Sequence, residues 1–176
     1  MTFKWLSRLL SRQPRYRFAE HVDTPSISFA RSAYDGLLEC LAPARGARHE
    51  GVALLLGRAD GTNVSVLQGV RPKARTGAGH FAIEARAMAR VVALAMELDL
   101  QIVGQVHTHP QEAFHSVGDE EGANIRYEGF ISIVIPHYGD HLPARTGWAV
   151  YRFSESGGWQ PLDADVVRVV DGVTVL

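Results

Sequence analysis

The stretch "HTHPQEAFHSVGDEE", residues 107–121, places three histidines, a serine and the acidic run Asp119-Glu120-Glu121 within fifteen positions. His107 and His109 follow "QIVGQV", which with Ile102, Val103 and Val106 reads as a buried strand stopped by Pro110. Residues two apart on a strand share a face, so the two imidazoles stand side by side at the strand's end and suit one shared metal ion. A catalytic zinc commonly takes three protein ligands and keeps one position for water. A carboxylate must therefore approach the pair. Asp119, ten residues beyond His109 and past Pro110 and Gly118, has enough chain to fold back and is the candidate third ligand. A proton acceptor outside the coordination set is also needed, and Glu50, at the mouth of the apolar run "GVALLLG", is the candidate base. An ordinary strand-end acid facing solvent is the plain alternative for Glu50.

These side chains depend on the elements that carry them. "SISFA" reads as a strand. "RSAYDGLLECLAPARG" reads as a helix with Tyr34, Leu37, Leu38 and Leu41 at helical spacing ahead of Pro43 and Gly46. "EGVALLLG" and "TNVSVLQGV" form two strands joined through "RADG", with Asp60-Gly61 as a hairpin signal. "RPKARTGAGH" reads as a flexible connection: Gly77 and Gly79 have the first spacing of a dinucleotide loop, but the third glycine is missing. "FAIEARAMARVVALAMELDL" reads as a helix with Met88, Val91 or Val92, Ala95 and Leu98 on its core side. "EGANIRYEG" suggests a short helix, "FISIVIP" a buried strand, "GWAVYRF" an alternating strand and the tail "DADVVRVVDGVTVL" one more short strand. Strands and helices mix without strict alternation, which predicts an α+β or three-layer sheet-and-helix domain.

A length of 176 residues suits one domain, and 46 % hydrophobic with 21 % charged residues is a globular balance. The net charge of -1 gives no field to gather nucleic acid. The single cysteine, Cys40, cannot form an internal disulfide, and no apolar run is long enough to span a membrane, so a reducing, cytoplasmic setting is expected. Within "LLECL" its thiol reads as half-buried and unreactive. Residues 1–20 form a basic extension. Lys4, Arg8, Arg12, Arg15 and Arg17 surround Phe3, Trp5, Leu6, Leu9 and Leu10 in what reads as a short amphipathic helix stopped by Pro14. Residues 21–176 then make the folded domain.

Glu50 ahead of "GVALLLG", the run His107-Thr108-His109-Pro110, and Ser116-Val117-Gly118-Asp119 together resemble the JAMM family of metalloproteases, also called JAB or MPN-plus. The family pattern is an upstream Glu, then H-[ST]-H-P, then S-x-x-D, and each part occurs here in order. One departure is that "QEAFH" supplies five residues between Pro110 and Ser116 where six are common. That keeps Glu120, Glu121 and His115 open as substitutes for Asp119. The resemblance implies a JAB/MPN fold of cytidine-deaminase-like kind: a mixed, mainly antiparallel curved sheet flanked by helices. It implies one Zn2+ on His107, His109 and Asp119, Glu50 as general base and then acid, and Ser116 as hydrogen-bond donor to the oxyanion. Ser116 also reads as a helix cap for "DEEGANIRY". It further implies an isopeptidase or peptidase that cuts after the C-terminal glycine of a ubiquitin-like protein. The partners would be that modifier or its conjugate and the E1-like and E2-like enzymes of a bacterial conjugation pathway. A peptidase that matures a sulfur-carrier protein and a non-catalytic JAB scaffold are the two alternatives.

Overall fold

The run 52–56 is apolar at every position, so both of its faces must be covered. In the computed structural model, which describes residues 25–116 and 125–171, this run opens β2 (Val52–Asp60). Ala53 and Leu55 pack with Tyr34, Leu37 and Leu41 of α1 (Arg31–Ala47). Leu54 and Leu56 pack on the other side with Val91 and Ala95 of α2 (Ala85–Glu97). Alternate side chains thus feed opposite faces of the strand. Leu54, Leu55 and Leu56 are each at most 1 % exposed. Burial of each side chain contributes roughly 1.5–3 kcal/mol.

Around β2 lies an eight-stranded mixed sheet. Its members are β1 (Ser26–Ala30), β3 (Asn63–Val70), β6 (Gln101–Thr108), β7 (Ile131–Ile135), β8 (Ala149–Ser154), β9 (Gly158–Leu162) and β10 (Val167–Val170). Their order is β10-β1-β3-β2-β6-β7-β8-β9. The pairs β1–β10, β1–β3 and β6–β7 are parallel and the other four antiparallel. The architecture is α+β and dominated by the sheet, with the larger core under α1 and a smaller one under α2. It is not a clear three-layer stack. Among the described residues, no helix is long and apolar enough to cross a membrane.

Several elements differ from the sequence expectations. α1 does not stop at Pro43 but continues to Ala47, closing with Arg48 in the left-handed region (φ 55°). The Arg48 and His49 amides donate back to Arg45 and Ala44, so the chain leaves α1 in a Schellman-type turn that aims residue 50 at the head of β2. Residues 71–80 are not merely a flexible connection. β4 (Ala74–Gly77) and β5 (His80–Ile83) form a two-stranded antiparallel ribbon, whose alternation is too polar to read as a buried strand. In the β2–β3 hairpin, Asp60 pairs with Asn63, so the turn is Gly61-Thr62, one residue later than expected. α2 begins only at Ala85, and its buried stripe is Ala87, Val91 and Ala95, while Val92 and Leu98 are exposed. Of "EGANIRYEG", residues 125–129 are irregular and turn, and the remainder lies outside the described residues, as does the basic segment 1–20. β9 had no signal of its own, because "GWQPL" contains a proline; at the sheet edge Pro161 costs no ladder bond to a further strand.

Gly57 sits where β2 shifts register against β3, and a Cβ there would lie 1.9 Å from the Ser65 carbonyl oxygen. Gly36, within α1, has nothing within 4 Å of its Cβ direction. Gly57→Ala should therefore lose about 3 kcal/mol or more by urea unfolding, whereas Gly36→Ala should gain about 1 kcal/mol.

Candidate functional site

The site begins with strand register. β2 and β6 are antiparallel, with Val52 opposite His107. One step on, the Thr108 amide donates to the Gly51 carbonyl (3.0 Å) and the Gly51 amide donates to the Thr108 hydroxyl (2.8 Å). Continuing that register by one more residue sets Glu50 across from His109, on the same face as Val52 and His107. The two imidazole centroids are 5.1 Å apart. Glu50, His107 and His109 are all buried, His107 completely. A carboxylate and two imidazoles at the end of a sheet are costly to bury unless they have polar work or partners.

Glu50 and His109 are anchored through the backbone. The Glu50 amide donates to the Gly77 carbonyl of β4 (2.8 Å), and the neighbouring His49 Nδ1 lies 3.4 Å from the Thr76 hydroxyl. The His109 amide donates to the Ile135 carbonyl at the end of β7 (2.9 Å), and its own carbonyl accepts from the Tyr138 amide (2.7 Å). His137 and Tyr138 both adopt left-handed φ (54° and 55°), a conformation that non-glycine residues hold only when surroundings impose it. Here the His137 amide is held by the Gln111 carbonyl and the Tyr138 amide by His109. The Tyr138 hydroxyl reaches across to the Ala78 carbonyl (2.7 Å), and the Arg48 guanidinium stands 4.8 Å from its ring centroid. Tyr138 thus joins the strand end that carries His109 to the ribbon turn that fixes Glu50.

In front of these groups opens a cleft of about 260 Å³, lined by Glu50, His109 and Ser116 with Gly79, His80, Phe81, Pro110, Gln111, Glu112 and Phe114. Phe81 stacks toward His107 (5.1 Å) and Phe114 meets His109 edge-on (5.0 Å). The next residue, His115, faces away: its ring lies 4.6 Å from Trp159 and 5.2 Å from Tyr151, and its amide donates to the Tyr151 hydroxyl. His115 therefore clasps the loop onto β8 and β9, and its neighbour Ser116 reaches the cleft. This argues against His115 as a substitute ligand. Among the described residues, no three His, Cys, Asp or Glu side chains converge closely enough to hold a metal ion. Asp119, Glu120 and Glu121 lie outside the described residues.

A larger cavity, about 450 Å³, runs between α1 and the β3–β4 link, lined by Cys40, Pro43, His49, Arg71 and Lys73 among others. It holds no acid, and burial pushes the Cys40 thiol up from its usual range, against any nucleophilic role. The cleft walls contributed by the ribbon, and Tyr138 behind them, were not found by sequence reasoning. The only available cues were "TGAGH", a turn between short polar strands, and the glycine after Tyr138 in "HYG".

Residues 40–150, more than half of the chain, match the family described as prokaryotic homologs of the JAB domain. The chain belongs to that family. The match spans Glu50, both histidines and Ser116. The chain is similar to the probable metalloprotease y4jG of Sinorhizobium fredii, at 26 % identity over 130 residues, covering 72 % of this chain and 80 % of the relative. A solution structure of a protein from Desulfitobacterium hafniense shares the fold, with a TM-score of 0.64 at 20 % identity over 84 % of this chain and 95 % of its own.

The Tyr138 tie yields a prediction. Tyr138→Phe keeps the ring over Arg48 and loses only the hydroxyl bond to Ala78, so stability should fall by about 1 kcal/mol. Amide exchange in residues 77–83 should quicken. An unchanged exchange rate there would show that the ribbon is held by other contacts.

Proposed function

We propose that this JAB-family chain is a metal-dependent peptidase. The observation that carries the reading is the β2–β6 register, which places Glu50 opposite the paired imidazoles of His107 and His109 at one cleft. Two imidazoles on one face, joined by the carboxylate of Asp119, would make a nitrogen-and-oxygen donor set that suits zinc better than magnesium or calcium. His107 and His109 would hold the ion together with Asp119. When bound, such an ion acts as a Lewis acid and lowers the pKa of a water towards about 7.

The chain's own groups supply the remaining chemistry. Glu50, fixed by the Gly77 carbonyl, accepts the proton of the attacking water and returns it to the leaving amine. Because its carboxylate sits in a nearly closed niche, it competes little with bulk water for that proton. The Ser116 hydroxyl donates a hydrogen bond to the oxyanion as the scissile carbonyl becomes tetrahedral, a contribution of roughly 3–4 kcal/mol for a donor of this kind. Phe81, Pro110 and Phe114 narrow the cleft, which favours a substrate whose residues at the cut carry no side chain. On this reading the substrate is the C-terminal glycine tail of a ubiquitin-like protein. The tail would be joined to a target or to a precursor extension, and E1-like and E2-like enzymes would be the companions of the pathway. The name of the relative from Sinorhizobium fredii supports the metalloprotease part of this reading.

Two experiments test it. The purified chain should bind one zinc, His109→Ala should lose it, and His115→Ala should keep it, because the His115 ring is held by Trp159 and Tyr151. Zinc that stays well below one per chain after reloading would remove the metal reading. A ubiquitin-like protein fused through its terminal glycine to a reporter should be cut after that glycine, and chelator should stop the cut. Glu50→Gln should retain zinc and turn over at least about a hundredfold more slowly. Preference for a sulfur-carrier fusion by kcat/KM would move the substrate to carrier maturation. Tight binding without cleavage would leave a scaffold.

A further inference from the structure

α2 has a second apolar face that the described residues leave uncovered. Its inner side, Ala87, Val91 and Ala95, is buried against the sheet. On the outer side Ala89, Val92, Ala93 and Met96 are exposed, Val92 at 41 % and Met96 at 77 %. These four stand at i, i+3, i+4 and i+7, the pattern of a helix packed along a second stripe. The two alanines lower the middle of the stripe enough for another helix to approach closely.

The charges beside the stripe say what that helix is. At about 100° per residue, Arg86, Arg90 and Glu97 all fall along one edge of the stripe. Inside α2 they do not pair: Arg86 and Arg90 are like charges four residues apart, a destabilising spacing, and Ala93 stands four residues before Glu97. The ion pairs among the described residues, Arg31–Asp171, Arg48–Asp140, Arg58–Asp99 and Lys73–Glu84, use none of the three.

We propose that this face is the interface of a symmetric homodimer, in which two copies of α2 pack antiparallel about a two-fold axis between Val92 and Ala93. The symmetry sets Ala89 against Met96 of the partner copy, large against small. On the charged edge it sets Glu97 of one copy between Arg86 and Arg90 of the other, about two residues or roughly 3 Å along the axis from each. The operation is isologous, so the same cluster forms twice. A parallel two-fold pairing would carry the charged edges of the two copies to opposite sides of the interface, where Glu97 meets no arginine of the partner. The charge layout therefore selects a second copy in the antiparallel sense. A helix of 13 residues covers a small area. The dimer accordingly belongs to the weak class, with total buried area below about 1,200 Å², and its dissociation constant is expected in the range of roughly 1–100 μM.

The test is a measurement of mass by light scattering or sedimentation on the full chain, between about 1 and 300 μM, a window set by that affinity class. Wild type should rise from the 19.3 kDa chain mass to twice that value across the range. Glu97→Arg makes the edge wholly basic, and Arg86→Glu with Arg90→Glu makes it wholly acidic. Each variant alone should stay monomeric over the whole range. Mixed one to one, they should form a heterodimer at concentrations where neither pairs with itself, which excludes misfolding as the cause of the loss. Oxidation of Ala93→Cys, next to the axis, should link two copies, while wild type with only the half-buried Cys40 should not be linked. A wild type that stays monomeric at the highest concentration overturns the proposal, as does failure of the mixed variants to pair. Because mass and not hydrolysis is read, the result is independent of the peptidase reading.

Discussion

The register between β2 and β6 is the constraint on which the rest of the molecule depends. Two hydrogen bonds between Gly51 and Thr108 set it at the sheet's end, and through it Glu50 meets His109 instead of a neighbour. A slip of one residue would turn every side chain of β2 to the opposite face and carry Glu50 to the α1 side of the sheet. What prevents the slip is burial. Leu55 belongs to the core under α1 and Leu54 and Leu56 to the core under α2, so misplacing them forfeits both cores at once. Stability and site geometry thus rest on the same interactions.

Around that register the structure adds ties of unequal kind. The left-handed turn at His137-Tyr138 is locally unfavourable and persists because two backbone bonds and the Tyr138 hydroxyl close over it. It converts the end of β7 into a brace between His109 and the β4–β5 ribbon. The clasp of His115 by Trp159 and Tyr151 works from the other side of the cleft, using aromatic contact in place of backbone bonds. The ion pair of Arg48 with Asp140 adds a third link from the α1 terminus, and that guanidinium holds the Asp140 carboxyl below its ordinary range. Both groups are largely exposed, so water and salt screen the pair and its contribution is small. The ties that matter more for geometry are the bonds to backbone atoms at Gly77, Ala78, His109 and Ile135.

Much of this was legible in the amino-acid sequence, for physical reasons. Two histidines two apart at the end of an apolar run must share a face in any strand. A short apolar run such as "VALLL" bounded by glycines reads as a strand covered on both sides, and "ISIVI", apolar but for Ser132, reads the same way. The α+β class and the positions of α1, β2, β3, β6, β7 and β8 follow from such local periodicities, and the order Glu50, His107-Thr108-His109-Pro110, Ser116 and Asp119 is enough to suggest the JAB family. What the sequence could not decide is everything set by partners distant in the chain. α1 runs through Pro43 because packing of Leu37 and Leu41 outweighs one missing amide. The "RPKARTGAGH" segment becomes a ribbon because Glu50 and Tyr138 bond to its carbonyls at Gly77 and Ala78. His115, which the short spacing from Pro110 to Ser116 left open as a metal ligand, is drawn to Trp159 on a strand that has no signal of its own. Val91 faces inward and Val92 outward because the sheet chooses which side of α2 it covers. Local pattern determines which residues can act; only tertiary contact, by deciding which bonds across the chain are closed, determines which of them meet.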